Sequence, residues 1–114
     1  MPAQAKRMPI RKQPSPPAGL SKAARDLWQQ LFDDSENMDA QAQLLLGLMV
    51  EQWQRLQEAR EILKAQGLQL AETTGAGHTK FKANPMIRTE RDCIINIARL
   101  WRELGYGELP PQLR

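Results

Sequence analysis

The chain has 114 residues, a formal net charge of +3 and 41% apolar residues, enough for one domain with a modest core and too little for a nucleotide-hydrolysing domain with its own substrate site. No uninterrupted apolar stretch approaches the roughly eighteen residues of a membrane span. One Cys and one His rule out the common zinc arrangements, which draw four ligands mainly from those two residue types, so neither a metal nor another cofactor is expected.

The chain opens with "MPAQAKRMPIRKQPSPPAGL", in which Pro2, Pro9, Pro14, Pro16 and Pro17 accompany few bulky apolar groups. Such a segment buries too little surface to offset the entropy of ordering, and residues 1–19 are predicted to be a disordered, basic, Pro-rich arm. Every ionisable side chain before Asp26 is basic: Lys6, Arg7, Arg11, Lys12, Lys22 and Arg25. A basic arm is either a solvated tail or a contact for polyanions. It lacks the apolar centre of a secretory signal, and the lone Cys93 fits a reducing compartment, so a cytoplasmic protein is expected.

Ser21 precedes "KAARDLWQQLF", where Ala24, Leu27, Trp28, Leu31 and Phe32 recur at helical spacing. Ser21 reads as the N-cap of a first, short helix running to about Phe32. "DDSENMD" breaks the pattern with short polar side chains. Asp39, or Asn37 before it, then caps "AQAQLLLGLMVEQWQRLQEAREILKAQ", a proline-free run that stops at Gly67. At a rise of 1.5 Å per residue this second helix is about 40 Å long and outruns a domain of this size. Leu46, Met49, Trp53, Leu56 and Leu63 form one stripe on it, widened by Leu45, Leu48, Ala59 and Ile62. Most of these belong to a core, and the surplus is expected to meet another subunit.

Next comes "GLQLAETTGAGHTKFKANP". Its centre, "TTGAGHTK", looks like a scrambled phosphate-binding loop, with Lys80 beside two glycines. A true phosphate loop ends in Gly-Lys-Ser/Thr and opens directly into a helix. Here Thr79 precedes Lys80, Phe81 and Lys82 follow, and Leu70 and Phe81 alternate with polar neighbours on either side of the glycines. That is the pattern of a small β-hairpin. Asn84-Pro85 then starts a third helix, because Asn caps free N–H donors and Pro has none to leave unsatisfied. On it Ile87, Ile94, Ile97, Trp101 and Leu104 keep a heptad spacing with Glu90 at one polar position, and Arg88, Arg91, Arg99 and Arg102 occupy the remaining surface. Gly105 ends the helix, and residues 106–114 read as a C-terminal arm. Cys93 and His78 could supply a thiolate–imidazole pair, but Cys93 lies in the helical run "RDCIINIA", where a free Cys behaves as a small buried hydrophobe. The expected fold is mainly α: a short helix, a long helix, a small β-hairpin and a third helix, with residues 20–105 as the folded domain.

In this order of elements the chain resembles the phage terminase small subunits, specifically the short helical family of long-tailed phages. The resemblance rests on Trp28 in the short helix, Asp39 opening the long one, Gly75 and Gly77 in the hairpin, Asn84 and Pro85 at the third helix start, Leu104 and Gly105 at its stop, and Pro111 with Arg114 at the end. "YGEL" is a departure, a short insertion between the Leu-Gly stop and the prolines. The resemblance implies a viral genome-packaging component that is not itself an enzyme. It would bind double-stranded viral DNA, assemble into a homo-oligomeric ring, and stimulate the ATPase and nuclease of the terminase large subunit in the cytoplasm of the infected bacterial host.

On that reading Lys6, Arg7, Arg11 and Lys12 of the arm are DNA-contact candidates, followed by Lys22 and Arg25 on the first helix and Lys80 and Lys82 on the hairpin. Trp53, Leu56, Ile97 and Trp101 are expected at a subunit interface as well as in the core. A small helical DNA-binding transcriptional regulator and a coiled-coil adaptor that binds no DNA are the other classes. A helix-turn-helix reader needs polar base-reading residues at the start of its recognition helix, where this chain has "AQAQLLLGLMV". The adaptor leaves the basic arm without a role.

Overall fold

The computed structural model describes residues 15–36 and 38–114. Among the described residues, three helices and one antiparallel hairpin follow in chain order: α1 (Lys22–Asp33), α2 (Ala40–Gln66), β1 (Gln69–Thr73), β2 (Thr79–Ala83) and α3 (Met86–Leu104), with a 3₁₀ turn at Pro111–Leu113.

Local chemistry accounts for each boundary. The Ser21 hydroxyl accepts from the Ala24 N–H at 3.2 Å, and the Ser21 N–H donates to Gln54 Oε1 at 2.8 Å, which ties the start of α1 to α2. The Asp39 carboxylate accepts from the Ala42 N–H at 2.8 Å; Asn37 lies outside the described residues. Gly67 ends α2 with φ +84°, its N–H donating to the Leu63 carbonyl at 2.7 Å. Pro85 occupies the N-cap position of α3, yet the capping bond is made one residue earlier, by Asn84 Oδ1 accepting from the Met86 N–H at 3.0 Å.

α2 and α3 lie antiparallel, as three cross-connections running in opposite chain directions require: Asn96 Nδ2 donates to Gln52 Oε1 at 3.0 Å, Arg60 Nε to Glu90 Oε2 at 3.2 Å, and Asn84 Nδ2 to Gln66 Oε1 at 3.2 Å. Glu90, the polar position in the α3 heptad, is thus the partner of Arg60. Leu46, Met49, Val50 and Leu56 of α2 close against Cys93, Ile97 and Trp101 of α3, and α1 adds Ala24, Leu27, Trp28 and Leu31. Trp28 stacks flat on Phe32 at 5.1 Å between ring centroids. Within residues 1–19, read as a disordered arm, Pro17 packs on α2, where a Cβ at Gly47 would lie 2.9 Å from Pro17 Cγ, and Leu20, the first residue of the folded domain, is buried.

The heptad reading of α3 needs one adjustment. Ile97 and Trp101 are buried, whereas Ile87 and Ile94 are about 40% exposed, at 38% and 42%. The buried line runs through Cys93, Ile97 and Trp101, spaced four apart. A straight helix at 3.6 residues per turn drifts off a strict seven-residue repeat by about 20° per heptad, which turns Ile94 and then Ile87 toward the edge of the buried line.

The C-terminal segment packs onto the helices rather than extending from them. Trp101 Nε1 donates to the carbonyls of Gly107 and Glu108, both at 3.0 Å, and Trp53 Nε1 donates to the Gln112 carbonyl at 3.0 Å. Leu113 is 2% exposed. The Arg114 guanidinium donates to the Leu109 carbonyl, while Arg60 Nη1 donates to the carbonyl of Arg114. The "YGEL" insertion therefore supplies the backbone acceptors for Trp101.

Candidate DNA-contact and assembly surfaces

The hairpin pairs Gln69 with Ala83 through Thr73 with Thr79. Its turn is closed by the Gly77 N–H donating to the Thr74 carbonyl at 3.0 Å and the Thr74 N–H donating to the His78 carbonyl at 2.8 Å, with Gly77 at φ +81°. This is a three-residue hairpin loop whose last residue is left-handed, a position that favours Gly. The N–H groups of Thr74 and Gly77 are spent on the turn, and β2, not a helix, follows it. The glycine-rich stretch builds a hairpin tip.

Lys80 and Lys82 project from β2, and both are exposed. Lys82 Nζ lies 3.6 Å from Glu72 Oε1. On α1, Lys22 forms an exposed i,i+4 pair with Asp26 at 2.9 Å, and Arg25 is exposed. Exposed pairs of this kind contribute at most about 1 kcal/mol, so a phosphate can displace either acid at small cost. Lys6, Arg7, Arg11 and Lys12 lie outside the described residues.

Leu56 and Ile97 are fully enclosed within the protomer and Trp101 nearly so. Trp53 keeps part of its ring at the surface, where with Ser21, Ala23, Gln54, Glu58 and Ile62 it borders an open groove of ≈ 490 Å³. Cys93 is buried. Burial pushes its thiol above the ordinary value, with the positive charge of Arg55 opposing and Asp92 adding to the shift. A nucleophilic cysteine needs the reverse, and His78 is exposed in the hairpin turn. Among the described residues no three His, Cys, Asp or Glu gather as a possible metal site, and no helix is long and apolar enough to cross a membrane.

Sequence reasoning gave no role to the charges on the outer sides of α2 and α3. On α3, Arg88, Arg91, Arg99 and Arg102 are all exposed, with Ile95 in their midst at 46% exposure. At about 100° of rotation per residue they lie on the side of the helix away from Ile97. The same rotation puts Glu51, Glu58 and Glu61 on the side of α2 away from Leu56. Helical periodicity applied to the charged residues, not only the apolar ones, is the signal that reveals both faces.

The described residues thus define a small helical protein with a packed three-helix body, a projecting hairpin and charged outer faces. The profile of the family described as phage terminase, small subunit, matches residues 24–106, and the chain belongs to that family. Membership supports a role in phage genome packaging. The matched span runs from α1 to the residue after the α3 stop, so it covers every element that carries the resemblance except the final prolines and Arg114. Comparison of the chain with curated proteins and with solved structures finds no significant match.

Proposed function

We propose that this chain is the DNA-recognition component of a phage packaging motor, working in the cytoplasm of the infected bacterial host. It binds double-stranded viral DNA, assembles into a homo-oligomeric ring, and stimulates the ATPase and nuclease of the terminase large subunit without catalysing either reaction. The observation that carries this reading is the family match across residues 24–106. The basic N-terminal stretch and the exposed Lys22, Arg25, Lys80 and Lys82 support the DNA part, because cations on separate elements contact a phosphate backbone without reading bases.

The test is a salt titration of a labelled duplex with the full chain and with a chain lacking residues 1–14, a cut that leaves Pro17 and Leu20 in their contacts. The logarithm of affinity falls with the logarithm of salt by about 0.9 per phosphate neutralised. Losing Lys6, Arg7, Arg11 and Lys12 is expected to weaken binding to all sequences alike and flatten the slope by up to about three or four units. Unchanged affinity and slope would remove the N-terminal stretch from the mechanism. No duplex binding by either chain at low salt would remove the DNA role. The partner role is read separately, as large-subunit ATP hydrolysis with and without the chain; an unaltered rate excludes stimulation.

A further inference from the structure

A closed ring needs two different surfaces on each subunit, one that fits into the other on its neighbour. The packed helices carry two different surfaces of this kind. On the outer side of α3, Ile95 stands 46% exposed among Arg88, Arg91, Arg99 and Arg102, and Ile87 and Ile94 border that face at 38% and 42%. Among the described residues Arg88, Arg99 and Arg102 have no carboxylate within ion-pair distance, and Arg91 has only its sequence neighbour Asp92 at 3.9 Å. Between α2 and the start of α1, the groove lined by Ser21, Ala23, Trp53 and Ile62 carries Glu58 and Glu61. One face is an apolar ridge with positive charge and the other an apolar trough with negative charge.

We propose that the Ile-Arg ridge of α3 on one protomer seats in the Glu58/Glu61 groove of α2 on the next, a head-to-tail contact between copies of this chain. The inference rests on the homo-oligomer reading above and assigns it two surfaces. A second copy fits the ridge better than DNA for two reasons. Three exposed isoleucines gain nothing against phosphates but are buried in a protein interface. The cations of α3 are also all Arg, with no Lys in the helix, and interfaces between proteins are enriched in Arg and depleted in Lys. The geometry also gives Trp53 an assembly role through its exposed edge, while Leu56 and Ile97 act from within the protomer.

Two charge-reversed chains test this: Arg88→Glu/Arg91→Glu/Arg99→Glu/Arg102→Glu, whose ridge and groove are both acidic, and Glu58→Arg/Glu61→Arg, whose ridge and groove are both basic. Solution mass by light scattering is expected to be a multiple of 13.0 kDa for the wild type and to fall to the protomer for each variant alone. Equimolar mixing is expected to restore the multimer, because each ridge then meets an opposite groove. Restoration also shows that both variants are folded. Ile95→Asp, a variant that leaves every proposed charge partner in place, is expected to lose the multimer too. Variants that keep the wild-type mass, or a mixture that stays at protomer mass, overturn the inference while the oligomer reading stands. A wild type that is itself a protomer overturns both. An Arg88→Glu/Arg91→Glu/Arg99→Glu/Arg102→Glu chain that stays assembled but loses duplex affinity assigns the ridge to DNA instead.

Discussion

The α2–α3 pair and the hairpin that joins them are neighbours in sequence and opposites in physics. The helices bury Leu46, Met49, Leu56, Cys93, Ile97 and Trp101 against one another and against α1. The ten strand residues of β1 and β2 bury none, and only Leu70 is even half-buried. A two-stranded hairpin with no covered face is marginal in water, so this one is held from its base. Asn84, 2% exposed, does the holding: its amide donates to Gln66 Oε1 and the Gly67 carbonyl, its Oδ1 accepts from Met86, and its N–H donates to the Leu68 carbonyl. The helices are ordered by what they exclude from water, the hairpin by where it is anchored. Substitutions in the two regions should therefore differ in size and in reach.

The largest effect is expected at the shared core. Ile97→Ala or Leu56→Ala leaves a cavity in a fully enclosed site and should cost about 2–5 kcal/mol, seen as a lower urea midpoint for the whole chain. The buried Cys93 reports the same event, since a thiol-specific reagent should modify it quickly only when the core opens. Loss of well under 1 kcal/mol in both variants would break the contrast, because the core would then be no more demanding than the hairpin.

Asn84→Ala should come next, at about 1–3 kcal/mol, because it removes a cap and leaves buried partners unsatisfied. Its effect should cross the boundary between the regions, lowering the global midpoint and loosening the hairpin together. If hydrogen exchange speeds up in β1 and β2 while the midpoint stays put, the anchor serves the hairpin alone.

Gly77→Ala places a Cβ on a residue with φ +81° and should cost about 1–2 kcal/mol locally. Faster exchange confined to the hairpin amides is the expected readout, with the helical midpoint unmoved. The smallest effect belongs to Phe81→Ala. Phe81 is 62% exposed despite its size, and its removal should change stability by no more than about 0.5 kcal/mol. A larger loss would show that the hairpin packs on something in solution.

Much of this contrast was legible in the residues. Ser21, Asp39, Gly67, Asn84 and Gly105 are local signals whose chemistry acts within one helical turn, and each marks its boundary to within a residue. The two glycines of the turn could be read against the phosphate-loop pattern because hairpin alternation is equally local. The docking of residues 106–114 could not be read. Proline content says only that a segment will not be helical; that Leu113 is buried and that Trp53 reaches the Gln112 carbonyl depends on where two distant helices place their indoles. The outer faces were half legible. The arginines of α3 were visibly on its surface, but the groove that gathers Glu58 and Glu61 beside Ser21 and Trp53 exists only once α1 packs on α2.

The seating of the C-terminal turn bears on the order in which the molecule assembles. α2, the hairpin and α3 close through contacts of modest sequence separation, such as Gln66 with Asn84, which form early because little chain entropy is lost. The Trp53–Gln112 bond joins residues 59 apart, and its partner segment has no site until α2 and α3 are together. Leu113→Ala should therefore leave the folding rate nearly unchanged and speed unfolding, which makes the last turn of the chain a latch that governs how long the native state persists.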